Sequence, residues 1–338
     1  MKKKSNVLKT VVTIGVSILF AGLFMWLAQR GLDFNKIQAS LAKANYLWVI
    51  AAICFGLLAY WFRAVRWNYL LEPMGYKISN YNSLWTISFG YLMNLTIPRS
   101  GEVARSTALY GVEKVPVDKS FGTIILERVI DLLCMIVFLG LTLIFKSEAI
   151  FSFFETSGFS INPIYVGVGV LAMLAGFFLF FKMKNKFAPD TILGKIVKFI
   201  DGILQGLTTI FQLKNKTKFL LYTIGIWISY YLAAYLVCFS LPETSDLTFG
   251  DGFYIIVVGT LGMMIPASGG IGAYHFALKI GMSALFLSMG KSATEGAEVG
   301  LSYAFISHTM QIVIMLVMGI LSIPMLAKSR QKLANTTD

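Results

Sequence analysis

Six apolar stretches of about twenty residues, near 7–28, 44–66, 119–145, 163–182, 218–240 and 298–326, set the terms for this chain. A helix rises about 1.5 Å per residue, so each is long enough to cross a hydrocarbon core of about 30 Å. Only 14% of the 338 residues are charged, against about 25% in an ordinary soluble domain. The pattern predicts an all-α integral membrane protein. The longest polar stretch, 182–218, is far below the ~100 residues of a second folded unit, so residues 1–338 are expected to form a single membrane domain. The N-terminal run from Val7 to Ala28 is long for a signal peptide and lacks a small-x-small site before Gln29 and Arg30, which predicts an uncleaved first helix.

Two further apolar stretches are interrupted. Residues 81–110 contain Pro98 and Gly101, and residues 253–287 contain Pro266, Gly269 and Gly270. They read as re-entrant or broken helical hairpins. The interruptions are alike: Ile97-Pro98-Arg99-Ser100-Gly101-Glu102-Val103 beside Ile265-Pro266-Ala267-Ser268-Gly269-Gly270-Ile271. Each follows an arm with a similarly placed glycine, Gly90 or Gly259, and leads to Ala108-Leu109 or Ala277-Leu278.

The net charge of +12 lies in the connecting segments, which is the positive-inside pattern of a membrane protein and leaves no basic stripe for nucleic acid. Counting lysines and arginines places both termini in the cytoplasm of a cell inner (plasma) membrane. It opens the first hairpin to the cytoplasm and the second to the outside. The flanking spans then invert too, giving an inverted repeat of 44–145 and 218–326 joined by a cytoplasmic segment, 183–217. In that segment Ile192, Ile196, Ile200 and Ile203 share one helical face, as expected of a helix in the inner interface or of a solvated linker helix. Residues 29–43 fit poorly, because Arg30, Lys36 and Lys43 against Asp33 fall on the external side.

Backbone that leaves the helix inside a bilayer is tolerated only against protein or a wet cavity. Breaks at matching places in inverted halves point to a binding site near the midplane. Ser100 and Ser268 are placed to cap the returning arms, aiming two helix N-termini inward, where such ends hold phosphate. The alternative is a tight turn used twice. Arg99, Glu102 and Arg105 cluster on the first break, and Glu127, Arg128 and Asp131 lie deep in the next span. Charges at that depth face a partner or a cavity. Either the arginines meet an anionic head group while the acidic residues pair with them, or the whole set is a charge ladder joining two helices. His275 and His308 read as core histidines or as a proton relay. The candidate substrate-binding set is Arg99, Ser100, Gly101, Glu102, Arg105, Glu127, Arg128, Asp131, Ser268, Gly269, Gly270 and His275. No metal or cofactor is expected, and Cys54, Cys134 and Cys238 sit in apolar runs as packing residues.

At these residues the chain resembles the lysylphosphatidylglycerol synthase transmembrane region family, also called the flippase-like domain family. The resemblance rests on Arg63-x-x-Arg66-Trp67, Pro98-Arg99-x-Gly101-Glu102-x-x-Arg105, Glu127-Arg128-x-x-Asp131 and Pro266-x-x-Gly269-Gly270-x-Gly272. It implies a lipid translocator, with Arg99, Glu102, Arg105, Glu127, Arg128 and Asp131 along the head-group path. The substrate expected is an anionic phospholipid, with a zwitterionic phospholipid or another anionic lipid as the alternatives. Family members fused to a soluble aminoacyl-transferase domain are held to move aminoacylated phosphatidylglycerol between leaflets. This chain carries His275 where many relatives carry a glutamate. It has no such domain before Asp338, so transport is expected rather than enzymatic turnover. Partners, if any, would be further copies of the chain or a separate lipid-modifying enzyme. A membrane-embedded enzyme or accessory subunit of lipid metabolism is the alternative.

Overall fold

A computed structural model of the chain describes residues 2–97, 99–156, 191, 213–265 and 267–337. The expected span at 163–182, nearly all of the 183–217 segment, and Pro98 and Pro266 lie outside the described residues. Among the described residues all regular structure is helical: α1 (Lys2–Gln29), α2 (Phe34–Lys43), α3 (Tyr46–Leu71), α4 (Asn80–Thr96), α5 (Gly101–Glu113), α6 (Val117–Thr156), α7 (Lys216–Cys238), α8 (Phe249–Met263), α9 (Ala273–Ser288) and α10 (Ala293–Thr337). The protein is an all-α multi-pass membrane protein.

Local chemistry sets the helix ends. The Asp33 carboxylate accepts from Asn35 N–H at 2.9 Å and starts α2, and the Asn45 side chain accepts from Leu47 N–H at 3.1 Å to start α3. Gly75, at φ +88, ends the turn after α3, and the Ser79 hydroxyl accepts from Tyr81 N–H to open α4. At α8 the Asp251 carboxylate takes both the N–H and the hydroxyl of Thr248 at 2.7 Å, the reciprocal half of a capping box.

The helices bury one face against each other and leave the other apolar. Leu278, Met282, Leu285 and Phe286 of α9 pack against Val299, Tyr303, Ile306 and Met310 of α10 in the largest core. Close approach there requires small residues, since a Cβ at Gly296 or Gly300 would meet the Met282 or Leu278 carbonyl at 2.5 and 2.6 Å. Ile18, Leu19, Leu132, Ile136, Ile144, Val317 and Ile320 stay exposed, as side chains facing lipid do. Five helical segments, 46–74, 117–153, 216–238, 268–288 and 293–335, are long and apolar enough to cross a membrane, and α1 with α2, bent by 91°, makes a sixth if counted as one span.

Both interrupted stretches fold as pairs of shorter helices. The arms α4, α5, α8 and α9 have 17, 13, 15 and 16 residues, lengths of about 20–26 Å, short of a hydrocarbon core. The second arm of the second pair is the exception, because with its preceding turn (268–288) it passes as a span by length. The open ends of the two hairpins are tied to different connecting segments. Glu113 at the end of α5 accepts from Ser79 N–H at 3.0 Å and from Asn82 at 2.7 Å. At the second hairpin, Asp246 before α8 pairs with Lys291 after α9 at 3.0 Å, and Asp251 pairs with Lys146, where α6 kinks, at 2.7 Å. The awkward 29–43 segment joins this second group: Lys36 meets Glu298 at 3.4 Å, and Ser40 donates to Glu243 at 3.2 Å. Its excess positive charge is thus partly matched by acidic residues distant in sequence.

An arginine cluster at the first break

The site is built where α3, α5 and α6 face one another. Arg63 and Arg66 lie one turn apart on α3, and Glu127 and Asp131 one turn apart on α6, so the two rows interlock. Arg63 donates to Asp131 at 2.9 Å and to the Tyr230 hydroxyl at 3.1 Å. Arg66 reaches Asp131 at 3.1 Å and Glu127 at 3.7 Å. From α5, Arg105 donates to Glu127 at 2.7 Å, and its guanidinium carbon lies 3.5 Å from the centre of the Trp67 ring. The Trp67 indole N–H donates in turn to Thr123 at 2.9 Å, which fixes the ring. At the rim Arg128 and Glu102 pair at 2.9 Å, with the Arg128 side chain 47% exposed.

Four guanidinium groups thus meet three carboxylates, and the imbalance favours an anion. Hydrogen-bond accounting points the same way. Arg66 and Glu127 are fully buried and Arg105 is 5% exposed, yet Nε and Nη2 of Arg105 and Nε and Nη1 of Arg66 have no hydrogen-bond partner among the described residues. Buried guanidinium donors are normally satisfied, and the free edge of an arginine fork matches two oxygens of a phosphate. Arg105 lines a narrow open cleft together with Tyr91, Asn94, Gly101, Glu102 and Arg128.

The break that makes room for this cleft is stabilised differently from the sequence expectation. Ser100 occupies the cap position of α5, but its hydroxyl donates backward to the carbonyls of Ile97 at 2.7 Å and Met93 at 3.0 Å. The cap is Asn94, whose side-chain oxygen accepts from Gly101 N–H at 2.7 Å. Gly101 is needed at that spot because a Cβ would collide with the Gly90 carbonyl, and one on Gly90 would meet the Gly101 carbonyl at 2.8 Å. Arg99 is exposed beside the break at φ +59, a left-handed conformation uncommon for a side-chain-bearing residue.

Among the described residues the second break holds no arginine cluster. Gly269, Gly270 and Gly272 turn the chain with φ of +58, +77 and +80, and Gly272, not Ser268, stands at the start of α9. The Ser268 hydroxyl does not cap α9. It donates to the Leu95 carbonyl of α4 at 3.2 Å, so the tips of the two hairpins touch. His275 is buried beside His308, ring centres 5.0 Å apart, and His308 Nε2 lies 2.8 Å from the Gly269 carbonyl.

Of the sequence candidates, Glu102, Arg105, Glu127, Arg128 and Asp131 come together in one ion network. Ser100 and Gly101 shape the break, Arg99 stands at its edge, and Ser268, Gly269, Gly270 and His275 belong to the second tip. Arg63, Arg66, Trp67, Tyr91, Asn94 and Thr123 were absent from that set. The Arg63-x-x-Arg66-Trp67 spacing was the available signal for three of them.

An all-α bundle with paired broken helices and a buried ion network beside a cleft defines a multi-pass membrane protein. The chain belongs to the family described as lysylphosphatidylglycerol synthase TM region, which it matches over residues 12–319. It is similar to the glycosyltransferase AglD of Haloferax volcanii, 24% identical over 81% of this chain and 49% of that protein. It is also similar to UPF0104 membrane protein MJ1595 of Methanocaldococcus jannaschii, 26% identical over 58% of this chain and 56% of the relative, and to UPF0104 membrane protein PH1989 of Pyrococcus horikoshii, 21% identical over 83% and 87%. The chain thus spans about half the length of the first two relatives. No solved structure matches it.

Proposed function

We propose that the protein moves a lipid with an anionic head group between leaflets, the head group passing along the cleft at the first break while its tails stay in the bilayer. The observation that carries this reading is Arg105: buried, its guanidinium carbon 3.5 Å from the centre of the Trp67 ring, paired through one nitrogen only, and lining the cleft with Nε and Nη2 unpartnered among the described residues. A phosphodiester supplies the acceptor oxygens those donors lack and the negative charge the network is short of. Two hairpins entering from opposite faces, as repeats 44–145 and 218–326, give such a site access to both leaflets in turn. On this reading the chain sits in the plasma membrane with both termini cytoplasmic.

Mass spectrometry of lipids co-purifying with the full chain tests it. An anionic phospholipid retained by wild type and lost from a folded R105Q variant is expected. Equal retention by both overturns the reading.

A second reading, participation in lipid-linked group transfer, is supported by the relative named as a glycosyltransferase. Appearance of a covalently altered lipid, rather than the same lipid in the other leaflet, distinguishes it.

A further inference from the structure

The last carbonyls of a helix have no partner within it, and inside a bilayer water cannot take their place. At the end of α4, Met93 O accepts from Ile97 N–H and the Ser100 hydroxyl. Leu95 O is satisfied from the other half of the chain, by Ser268. The next residue, Gly269, packs so closely that a Cβ would stand 2.9 Å from the Leu95 side chain. Its carbonyl faces His308 Nε2 at 2.8 Å. A carbonyl only accepts, so His308 carries its proton on Nε2 and donates it there. His308 is 1% exposed, its ring lies 5.0 Å from both Tyr274 and His275, and its Nδ1 has no partner among the described residues. The Gly269 contact is therefore the polar anchor of this side chain. From α10 the contacts run through Gly269 and Ser268 to Leu95. Its neighbour Asn94 caps α5 at Gly101, one turn before Arg105.

We propose that His308 is a positioning residue for the arginine cleft: its hydrogen bond fixes the tip of the second hairpin, which fixes the end of α4 and, through Asn94, the start of α5. The inference depends on the lipid role only for its consequence for lipid, because the positioning is a property of the fold.

The test is amide hydrogen exchange on the full chain in lipid nanodiscs, comparing wild type with H308L, H308Q and S268A. Leucine removes the donor, whereas the glutamine carboxamide places an N–H near the position of Nε2. H308L is expected to speed exchange across 94–105 about tenfold, the scale of one lost hydrogen bond, as well as at 268–272. H308Q restores protection, and H308L combined with S268A loosens 94–105 no further than either alone. Should H308L fail to fold, S268A keeps the proposal falsifiable, because unchanged exchange at 94–105 in S268A would cut the route from Gly269 through Ser268 to α4 and overturn it. Loosening confined to 268–272, or equal behaviour of H308L and H308Q, overturns the proposal. In phosphatidylcholine vesicles with a trace of fluorescent phosphatidylglycerol, lipid movement should fall in H308L and recover in H308Q. Loosening at 94–105 with unchanged lipid movement would uphold the positioning role and count against the lipid path.

Discussion

In the first hairpin the chain breaks with side chains doing the capping: Asn94 serves Gly101 N–H, Ser100 serves two carbonyls, and the arm that follows carries Arg105 into an ion network. In the second hairpin three glycines at positive φ make the turn, and the arm that follows carries His275 into a packed core. Similar heptapeptides thus give one break capped by side chains of its own hairpin and one turned on glycines and held by bonds to other segments. The glycine turn occupies little volume, which lets it fit against Leu95 and His308, while the side-chain-capped break leads into an arm whose Arg105 keeps two nitrogens unpartnered among the described residues. The second hairpin has ion pairs too, Lys146–Asp251 and Lys291–Asp246, but at its open end instead of its tip.

Substitutions in the two hairpins should differ in what they cost. The largest effect is expected for Glu127→Leu, which leaves Arg66 and Arg105 buried without their shared carboxylate, a loss of about 3–5 kcal/mol in denaturant titrations of the micellar protein. Asp251→Leu in the second hairpin should cost less, about 1–2 kcal/mol, since the Lys146 side chain is 23% exposed and can turn to water once the cap is lost. Equal losses would mean that the two pairs do the same structural task.

Gly101→Ala comes next, at about 1–3 kcal/mol, because the new methyl meets the backbone of α4. Gly259→Ala meets only the edge of the Tyr274 ring, which can shift, and should lose less in the same titration. Glu102→Gln is the smallest, below about 1 kcal/mol for a pair whose side chains are 27% and 47% exposed. It should nevertheless change the rate of lipid movement, since it alters the charge at the cleft rim. A neutral outcome in both assays would remove Glu102 from the site.

Much of this was legible in the sequence because it follows from spacing. Pro and Gly within apolar runs located both breaks, and charges too deep for a loop located Glu127 and Asp131. The capping was not legible. Ser100 has the usual cap chemistry at the usual position, yet Asn94 wins from seven residues away because the Gly90–Gly101 contact brings the two arms together. The Ser268–Leu95 bond joins residues 173 apart, and the His308–Gly269 bond residues 39 apart. Packing alone sets such contacts, and no local pattern announces them. The 29–43 segment looked misplaced because charge counting by loop cannot see that Glu243 and Glu298 fold beside it.

In the proposed function, the unpartnered edge of Arg105 receives a lipid phosphate. The rate at which fluorescent phosphatidylglycerol changes leaflet in phosphatidylcholine vesicles holding the purified chain decides whether it does. Wild type should exceed protein-free vesicles, and a folded R105Q variant should fall back to their rate. Equal rates for wild type and R105Q, or a wild-type rate no higher than that of empty vesicles, would contradict it.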